Sequence, residues 1–209
     1  MDLFITHLWR NPHFFFSVAI LVILSICTHE FMHAWAALKA GDDTAAENGH
    51  LTFNPLKQMG IFSLILFCFF GLAWGRVPVN PQNLRGKYAP ALVAFAGPFS
   101  NLVLSQIFLI LTYICFKAQW GNDFTLHMLL YGAQLNVVLF LLNMLPVPGF
   151  DGYAIICNLF PKFLRDSSEA ARGAVFLLIM LLFLFFNKLF ELARIVTAFE
   201  LVVLQWLTE

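Results

Sequence analysis

Long apolar runs separated by short polar loops dominate the chain. The first runs from Phe14 to about Leu38, which is long enough to cross a hydrocarbon core of about 30 Å as a helix. Four further runs cover residues 61–74, 88–116, 126–145 and 174–186. The tail from Lys188 repeats apolar residues at helical spacing, so it could continue the fifth helix, form a sixth span or lie in the membrane interface. The pattern predicts an all-α integral membrane protein with a bundle of five to six transmembrane helices.

Two polar interruptions predict departures from plain spans. After the first run, Leu51 and Phe53 alternate with polar residues ahead of Pro55, which favours a short extended or β-hairpin segment. The run of 61–74 is short for a span, although it could be extended from Leu56. Residues 146–152 contain two prolines and two glycines, so we expect a broken helix there. Broken backbone at membrane depth is tolerated only inside protein or beside a watery cavity.

Composition supports the membrane assignment. Residues are 60% hydrophobic and 11% charged, whereas soluble domains are near 25% charged. We expect a single membrane-embedded domain over residues 1–209, with a motif-bearing core at about 14–160 and C-terminal helices at about 172–207. The net charge of zero argues against a nucleic-acid partner. The four cysteines form no Cys-x-x-Cys pair and are interpreted as small buried hydrophobic residues.

Charge distribution predicts an orientation if each run crosses the membrane in turn. Arg10 and the basic residues of 76–87 and 162–172 would then lie on one side, while Lys39, Lys57 and Lys117 would lie on the other. The positive-inside rule makes the first side cytoplasmic. We therefore expect a protein of a bacterial-type cell membrane, with its N-terminus and the opening of its site in the cytoplasm.

A metal-site pattern lies inside the first apolar run. His29 and His33 are four residues apart, so on a helix their imidazoles project from one face and can bind one Zn²⁺. Glu30 lies about 100° around the helix from His29, within reach of a metal-bound water. A buried pair of structural histidines is the simpler alternative, but such polar groups are costly in hydrocarbon unless they are paired, metal-bound or hydrated.

Other polar residues in the spans allow two interpretations each. Asp151, in the broken segment, is the natural candidate for a third ligand, although it could also cap the helix that follows it. Asn101 could form an ordinary interhelical hydrogen bond. His50 could contact the site, but a single loop histidine is more often solvated.

Five motifs in order resemble the site-2 protease family, zinc metalloproteases that cut within membranes. They are His-Glu-Phe-Met-His at 29–33, Gly-His-Leu-Thr-Phe-Asn-Pro at 49–55, Val-Pro-Val-Asn-Pro at 77–81, Ala-Gly-Pro-Phe-Ser-Asn at 96–101, and the Asn-to-Gly segment at 143–152. Many members carry His-x-Asp-Pro where this chain has residues 58–61, and a second proline where it has Gly149. We expect a minimal form without PDZ or CBS domains.

The resemblance implies an activity and a set of residues. It implies one Zn²⁺ held by His29, His33 and Asp151, with Glu30 as the catalytic acid and base. Asn143, and less directly Asn101, would hold the substrate backbone or polarise its carbonyl. The implied function is hydrolysis of a peptide bond in or near a transmembrane helix of a membrane-protein substrate, with lipid as the other partner.

Two alternatives remain at this point, namely a membrane metal transporter and a non-catalytic zinc-binding pseudoprotease. A transporter would be expected to have further intramembrane carboxylates or histidines along a path, and the spans offer almost none. A pseudoprotease would be expected to have lost Glu30 or a ligand. The sequence indicates neither the substrate nor the oligomeric state.

Overall fold

A computed structural model describes residues 3–160 and 188–206, and within these residues the regular structure is helical, with no strand. A 3₁₀ turn covers Phe4–Thr6, and residues 188–206 are helical at the other end. The α-helices between them are α1 (His7–Arg10), α2 (Pro12–Lys39), α3 (Thr44–Glu47), α4 (Pro55–Gln58), α5 (Gly60–Phe70), α6 (Ala89–Lys117), α7 (Asp123–Asn143) and α8 (Asp151–Leu159). The chain divides into two compact units, Met1–Ser100 and Asn101–Glu209.

Three helices in the described part of the chain are long and apolar enough to cross a membrane. They are α2, α6 and α7, which correspond to the first, third and fourth predicted runs. The run of 174–186 lies outside the described residues, so the expected count of five to six spans stays a prediction.

Helix α2 has clear start and stop signals. The Asn11 side chain accepts a hydrogen bond from the backbone N–H of Phe14 at 3.1 Å, and Pro12 occupies the first turn, where no N–H partner is needed. The helix ends before Gly41, whose φ of +102° favours glycine. Between these ends α2 buries His29, Glu30 and His33, so its buried face is partly polar.

The second apolar run forms a short helix that is not among the candidate spans. Helix α5 has 11 residues, or about 16 Å of length, against about 30 Å of hydrocarbon. Gly60, with φ +75°, separates α5 from α4, so the helix is not extended from Leu56. At the other end, the Trp74 N–H donates to Ser63 Oγ at 3.0 Å, and this hydroxyl donates to the Trp74 carbonyl at 2.7 Å. The chain after α5 therefore turns back along it.

The predicted extended or β-hairpin segment after the first span is not confirmed. Residues 51–54 form no strand, and Asn54 instead caps α4 by accepting a hydrogen bond from the Leu56 N–H at 2.9 Å. The Gln58 side-chain amide donates to the carbonyls of His50 and Thr52 at 2.8 and 2.6 Å. Because one buried side chain satisfies these carbonyls, the segment needs no partner strand.

The loops on either side of α5 meet, which corrects the charge grouping drawn from the sequence. The Arg76 N–H donates to the Gln58 carbonyl at 2.9 Å, and the Arg85 N–H donates to the carbonyl of Ala40 at 2.8 Å. Residues 76–87 therefore lie at the C-terminal end of α2, beside Lys39 and Lys57, and not on the side of Arg10. The grouping was wrong because it counted the second run as a complete crossing.

The second unit holds the rest of α6, then α7, α8 and residues 188–206. Val137 and Val138 of α7 pack with Ala193. The helix break expected at the Asp-Gly motif is present, since α7 ends at Asn143 and α8 begins at Asp151. A Cβ at Gly152 would overlap the Met144 carbonyl, so the turn between these helices is tight enough to require glycine.

Candidate metal centre

Helix α2 carries three buried polar side chains within little more than one turn. His29, Glu30 and His33 are each less than a tenth exposed. The helical rise brings residues 29 and 33 to the same face, as their spacing predicts. The two imidazole rings stand 78° apart with their centroids at 4.6 Å.

The geometry of the two histidines suits a shared metal ion. Their Nε2 atoms are 2.9 Å apart. Two nitrogens at 2.0–2.1 Å from one tetrahedral zinc are about 3.3 Å apart, so only a small movement separates the observed pair from this arrangement. The ring nitrogens that would bind a metal therefore already converge.

A hydrogen bond on the side of the ring away from Nε2 holds the imidazole of His33 in its orientation. Its Nδ1 lies 2.8 Å from the carbonyl oxygen of Val93, which can only accept, so Nδ1 carries the proton and donates it. The Nε2 lone pair is then available to a metal. A backbone carbonyl behind a ligand imidazole is a common arrangement at zinc sites, because it selects the tautomer and holds the ring.

Two glycines leave the space that these side chains occupy. A Cβ at Gly97 in α6 would overlap the Nε2 atoms of both His33 and His29. A Cβ at Gly75, in the segment that returns from α5, would overlap the Glu30 carboxylate. Bare backbone therefore lies against both the imidazole pair and the carboxylate.

Asp151 is the first residue of α8 in the second unit, and it stays the predicted third ligand. Two imidazole nitrogens and one carboxylate oxygen are a usual donor set for catalytic zinc, and they leave a fourth position for water or substrate. The chemistry of these donors therefore fits zinc.

The remaining predicted site residues have other partners. Asn101 Nδ2 donates to Asn136 Oδ1 at 2.9 Å, and both side chains are fully buried. Asn143 Nδ2 donates to the Leu139 carbonyl of its own helix at 3.0 Å. His50 Nδ1 lies 3.4 Å from Gln58 Oε1, and His50 is not a member of the possible metal group. These contacts are structural, and a role for these residues toward substrate stays a prediction.

Three supporting residues were not identified from the sequence. Gly75 and Gln58 gave no signal, since one is a loop glycine and the other departs from the family pattern. Asp42 lies in a polar loop of the sequence, yet it is fully buried. The only available signal was its place next to Gly41 at the end of an apolar run, where a charge has to be solvated or bonded.

Asp42 joins the end of α2 to the segment that follows α5. Its carboxylate accepts hydrogen bonds from the Asn80 N–H at 2.7 Å and from Asn83 Nδ2 at 3.2 Å, and from the hydroxyl and N–H of Thr44. Burial acts to raise the pKa of Asp42, but these hydrogen bonds outweigh it and hold the pKa below its ordinary value. The carboxylate is therefore a charged anchor for residues 80–83.

Comparisons with known proteins found relatives that are named as zinc metalloproteases. The chain is 38% identical over 173 residues to “Putative zinc metalloprotease YwhC” of Bacillus subtilis, covering 79% of each protein. It is 32% identical over 186 residues to “Putative zinc metalloprotease Rip2” of Mycolicibacterium smegmatis, covering 82% of this chain and 70% of the relative. A third relative, “Putative zinc metalloprotease MJ0611” of Methanocaldococcus jannaschii, is 29% identical over 159 residues, covering 73% and 77%.

Two other comparisons found nothing: no protein-family model matches the chain, and no solved structure is a significant match. Family membership therefore rests on the relatives, which share most of the length of the chain. The chain belongs to the zinc metalloprotease family of these relatives and is a site-2 protease-like member of it.

Proposed function

We propose that this protein is an intramembrane zinc metalloendopeptidase that hydrolyses a peptide bond in or near a transmembrane helix of a membrane-protein substrate. The observation that carries the proposal is the buried pair of converging Nε2 atoms of His29 and His33, with the buried Glu30 on the same helix. Such a cluster is costly in a membrane protein unless it binds or reacts.

Three side chains would hold one zinc ion, namely His29, His33 and Asp151. Bound there, zinc would polarise the substrate carbonyl and lower the pKa of water. The hydrogen bond from His33 Nδ1 to Val93 keeps the ring in the tautomer that this role needs.

Glu30 would act as the general base and then as the general acid. Its carboxylate takes a proton from the attacking water and later delivers it to the leaving amine. The backbone of Gly75 lies directly against one side of the Glu30 carboxylate. This contact restricts the positions that the carboxylate can take beside the reacting groups.

The substrate has to unwind before it can react, because a helix hides its carbonyls in its own hydrogen bonds. In this proposal Asn143 and Asn101 offer polar partners to the released backbone. Asn143 would have to exchange its bond to Leu139 for one to substrate, whereas Asn101 would have to leave Asn136. Asn143 is therefore the easier of the two to recruit.

The test is Glu30→Gln, with Glu47→Gln as the matched control. Glu47 is exposed on α3, so the control makes the same chemical change away from the site. We expect Glu30→Gln to keep about one zinc per chain, measured by mass spectrometry of the metal, and to stop cleavage of single-pass membrane proteins in intact membranes. Glu47→Gln should match the wild type in both measurements.

The outcomes separate the proposal from its rivals. A pseudoprotease would give the same membrane-protein fragments with the wild type and with Glu30→Gln, and this result would overturn the proposal. A transporter would move zinc into sealed proteoliposomes without cutting any substrate. Loss of zinc from His33→Ala, with zinc kept by Glu30→Gln, would support the assigned roles.

A further inference from the structure

A cavity with a basic rim lies in the first unit, and neither His29 nor His33 lines it. It has a volume of about 490 Å³ and is formed where α2 ends and α6 begins. Lys39, Arg85 and Lys87 line it, and none of the described residues around it is acidic. Three cations and no carboxylate among the lining residues favour an anion as the ligand.

The cationic rim is positioned by the fold. The backbone N–H of Arg85 donates to the Ala40 carbonyl at 2.8 Å, which ties this loop to the end of α2. A Cβ at Gly41 would lie 3.0 Å from Cδ and Nε of Arg85, so the arginine stem packs against bare backbone. The guanidinium is therefore directed by its surroundings, which reduces the entropy lost when it binds.

Two aromatic residues indicate the level of the cavity in the membrane. Lys39 Nζ lies 5.8 Å from the ring centroid of Trp35, and Lys87 Nζ lies 5.2 Å from that of Tyr88. Both rings are exposed and line the cavity at the ends of two candidate spans. Exposed Trp and Tyr at such ends lie at the level of lipid head groups.

The wall below the rim is apolar. Ala36, Ala89, Leu92 and Val93 form it, and Leu92 is 66% exposed. The N-terminal end of α6 adds its partial positive charge to that of the rim. A cationic rim above an apolar wall fits a molecule with a negative head and an apolar tail.

We propose that this cavity binds the phosphate head group of an anionic phospholipid, with the acyl chains along the exposed apolar side of α6. A soluble phosphate or an acidic peptide would match the rim but would leave the apolar wall uncovered. The inference rests on the membrane location of the chain and not on the peptidase activity.

The test is lipid binding by the purified full chain in non-ionic detergent, followed by native mass spectrometry. The probes are phosphatidylglycerol and phosphatidylcholine with the same acyl chains. We expect the wild type to prefer phosphatidylglycerol on the order of 10- to 100-fold. The triple variant Lys39→Gln, Arg85→Gln, Lys87→Gln should lose this preference. Lys57→Gln, Arg76→Gln, Lys117→Gln, which removes the same charge elsewhere, should keep it.

Competition experiments distinguish a lipid phosphate from a soluble phosphate or an acidic peptide as the ligand of the cavity. If glycerol 3-phosphate or an acidic peptide displaced phosphatidylglycerol at equal concentration, the lipid proposal would be overturned. It would also fail if the triple variant kept the preference.

A measurement on the wild type alone needs no variant to fold. Raising the salt from about 0.05 M to about 0.5 M should weaken phosphatidylglycerol binding and leave phosphatidylcholine binding unchanged, because salt screens charges. A preference that did not respond to salt would contradict a site built from three cations.

Discussion

At the residue scale, substitutions at two glycines can test metal binding by the histidines separately from catalysis by Glu30. Gly97→Ala places a methyl group against the Nε2 atoms of His29 and His33, so we expect zinc affinity to fall on the order of 10- to 100-fold. Gly75→Ala places it against the Glu30 carboxylate, so zinc should be kept while cleavage falls. Zinc titration and a cleavage assay on both variants check this, and each serves as the control for the other.

The opposite pattern would show that the glycines do not line the functional groups. Equal loss of zinc from both variants would point instead to general unfolding, and a circular dichroism melt distinguishes that outcome.

The grouping of His29, Glu30 and His33 could be predicted from the sequence, because the spacing of residues within one helix determines which side chains lie together. The sequence could not supply the role of Gly75, nor the side chains that lie against Gly97. Their importance depends on which distant backbone passes the imidazoles, and a close approach of this kind has no local pattern.

At the element scale, Asp42 connects the C-terminal end of α2 to residues 80–83, and this connection can be tested. Its lowered pKa means that its contribution to stability is fully present above the unfolded pKa near 4, and is lost as the pH falls through the folded pKa. Asp42→Asn removes the charge at nearly constant size, so we expect the free energy of unfolding at pH 7 to fall by about 2–3 kcal/mol. The difference between wild type and variant should shrink below about pH 4.

Thermal melts of the metal-free protein between pH 3 and 7 measure this difference, since the pH-dependent contribution of metal binding to stability is then absent. Asp43→Asn, at an exposed neighbouring position, is the control and should change little. A constant difference at all pH values would contradict a role for the charge.

The pair Asn101 and Asn136 links α6 and α7 within the second unit. A double-mutant cycle with alanine at each position should give a coupling energy of about 0.6–1.7 kcal/mol, as found for interhelical hydrogen bonds in membranes. Asn143→Ala is the comparison, because its side chain bonds to its own helix. If Asn143→Ala left stability almost unchanged but reduced cleavage, the substrate role assigned to it would be supported.

The lengths of the apolar runs predicted α2, α6 and α7. A long apolar run in a membrane has to be helical unless it belongs to a closed barrel. The extension of the second run from Leu56 and the extended segment at Leu51 and Phe53 are not confirmed. In the first case, glycines with positive φ begin and end the helix. In the second, a buried side-chain amide replaces a β partner. Both depend on contacts that a hydropathy pattern does not contain.

The meeting of the two loops changes the orientation expected for the whole molecule. The basic residues at the C-terminal end of α2 are Lys39, Lys57, Arg76, Arg85 and Lys87. In the described part of the chain, Arg10 and Lys117 lie at the opposite ends of α2 and α6. The positive-inside rule then predicts that the loops around Asp42 and Asn80 face the cytoplasm and that the N-terminus lies outside.

Cysteine labelling in spheroplasts with a membrane-impermeant maleimide checks this orientation. In a chain without its native cysteines, Asn122→Cys should react from outside, whereas Lys57→Cys and Gln82→Cys should react only after lysis. Labelling of Lys57→Cys and Gln82→Cys from opposite sides would show that α5 crosses the membrane after all.

The position of His29, Glu30 and His33 on one helix limits how the protein can be switched. As long as α2 stays helical, its pitch holds these three groups at constant spacing. An inhibitor or regulatory subunit therefore has little to gain by deforming this triplet. Under the proposed function, control would therefore act on what arrives there, namely the third ligand, water or the unwound substrate.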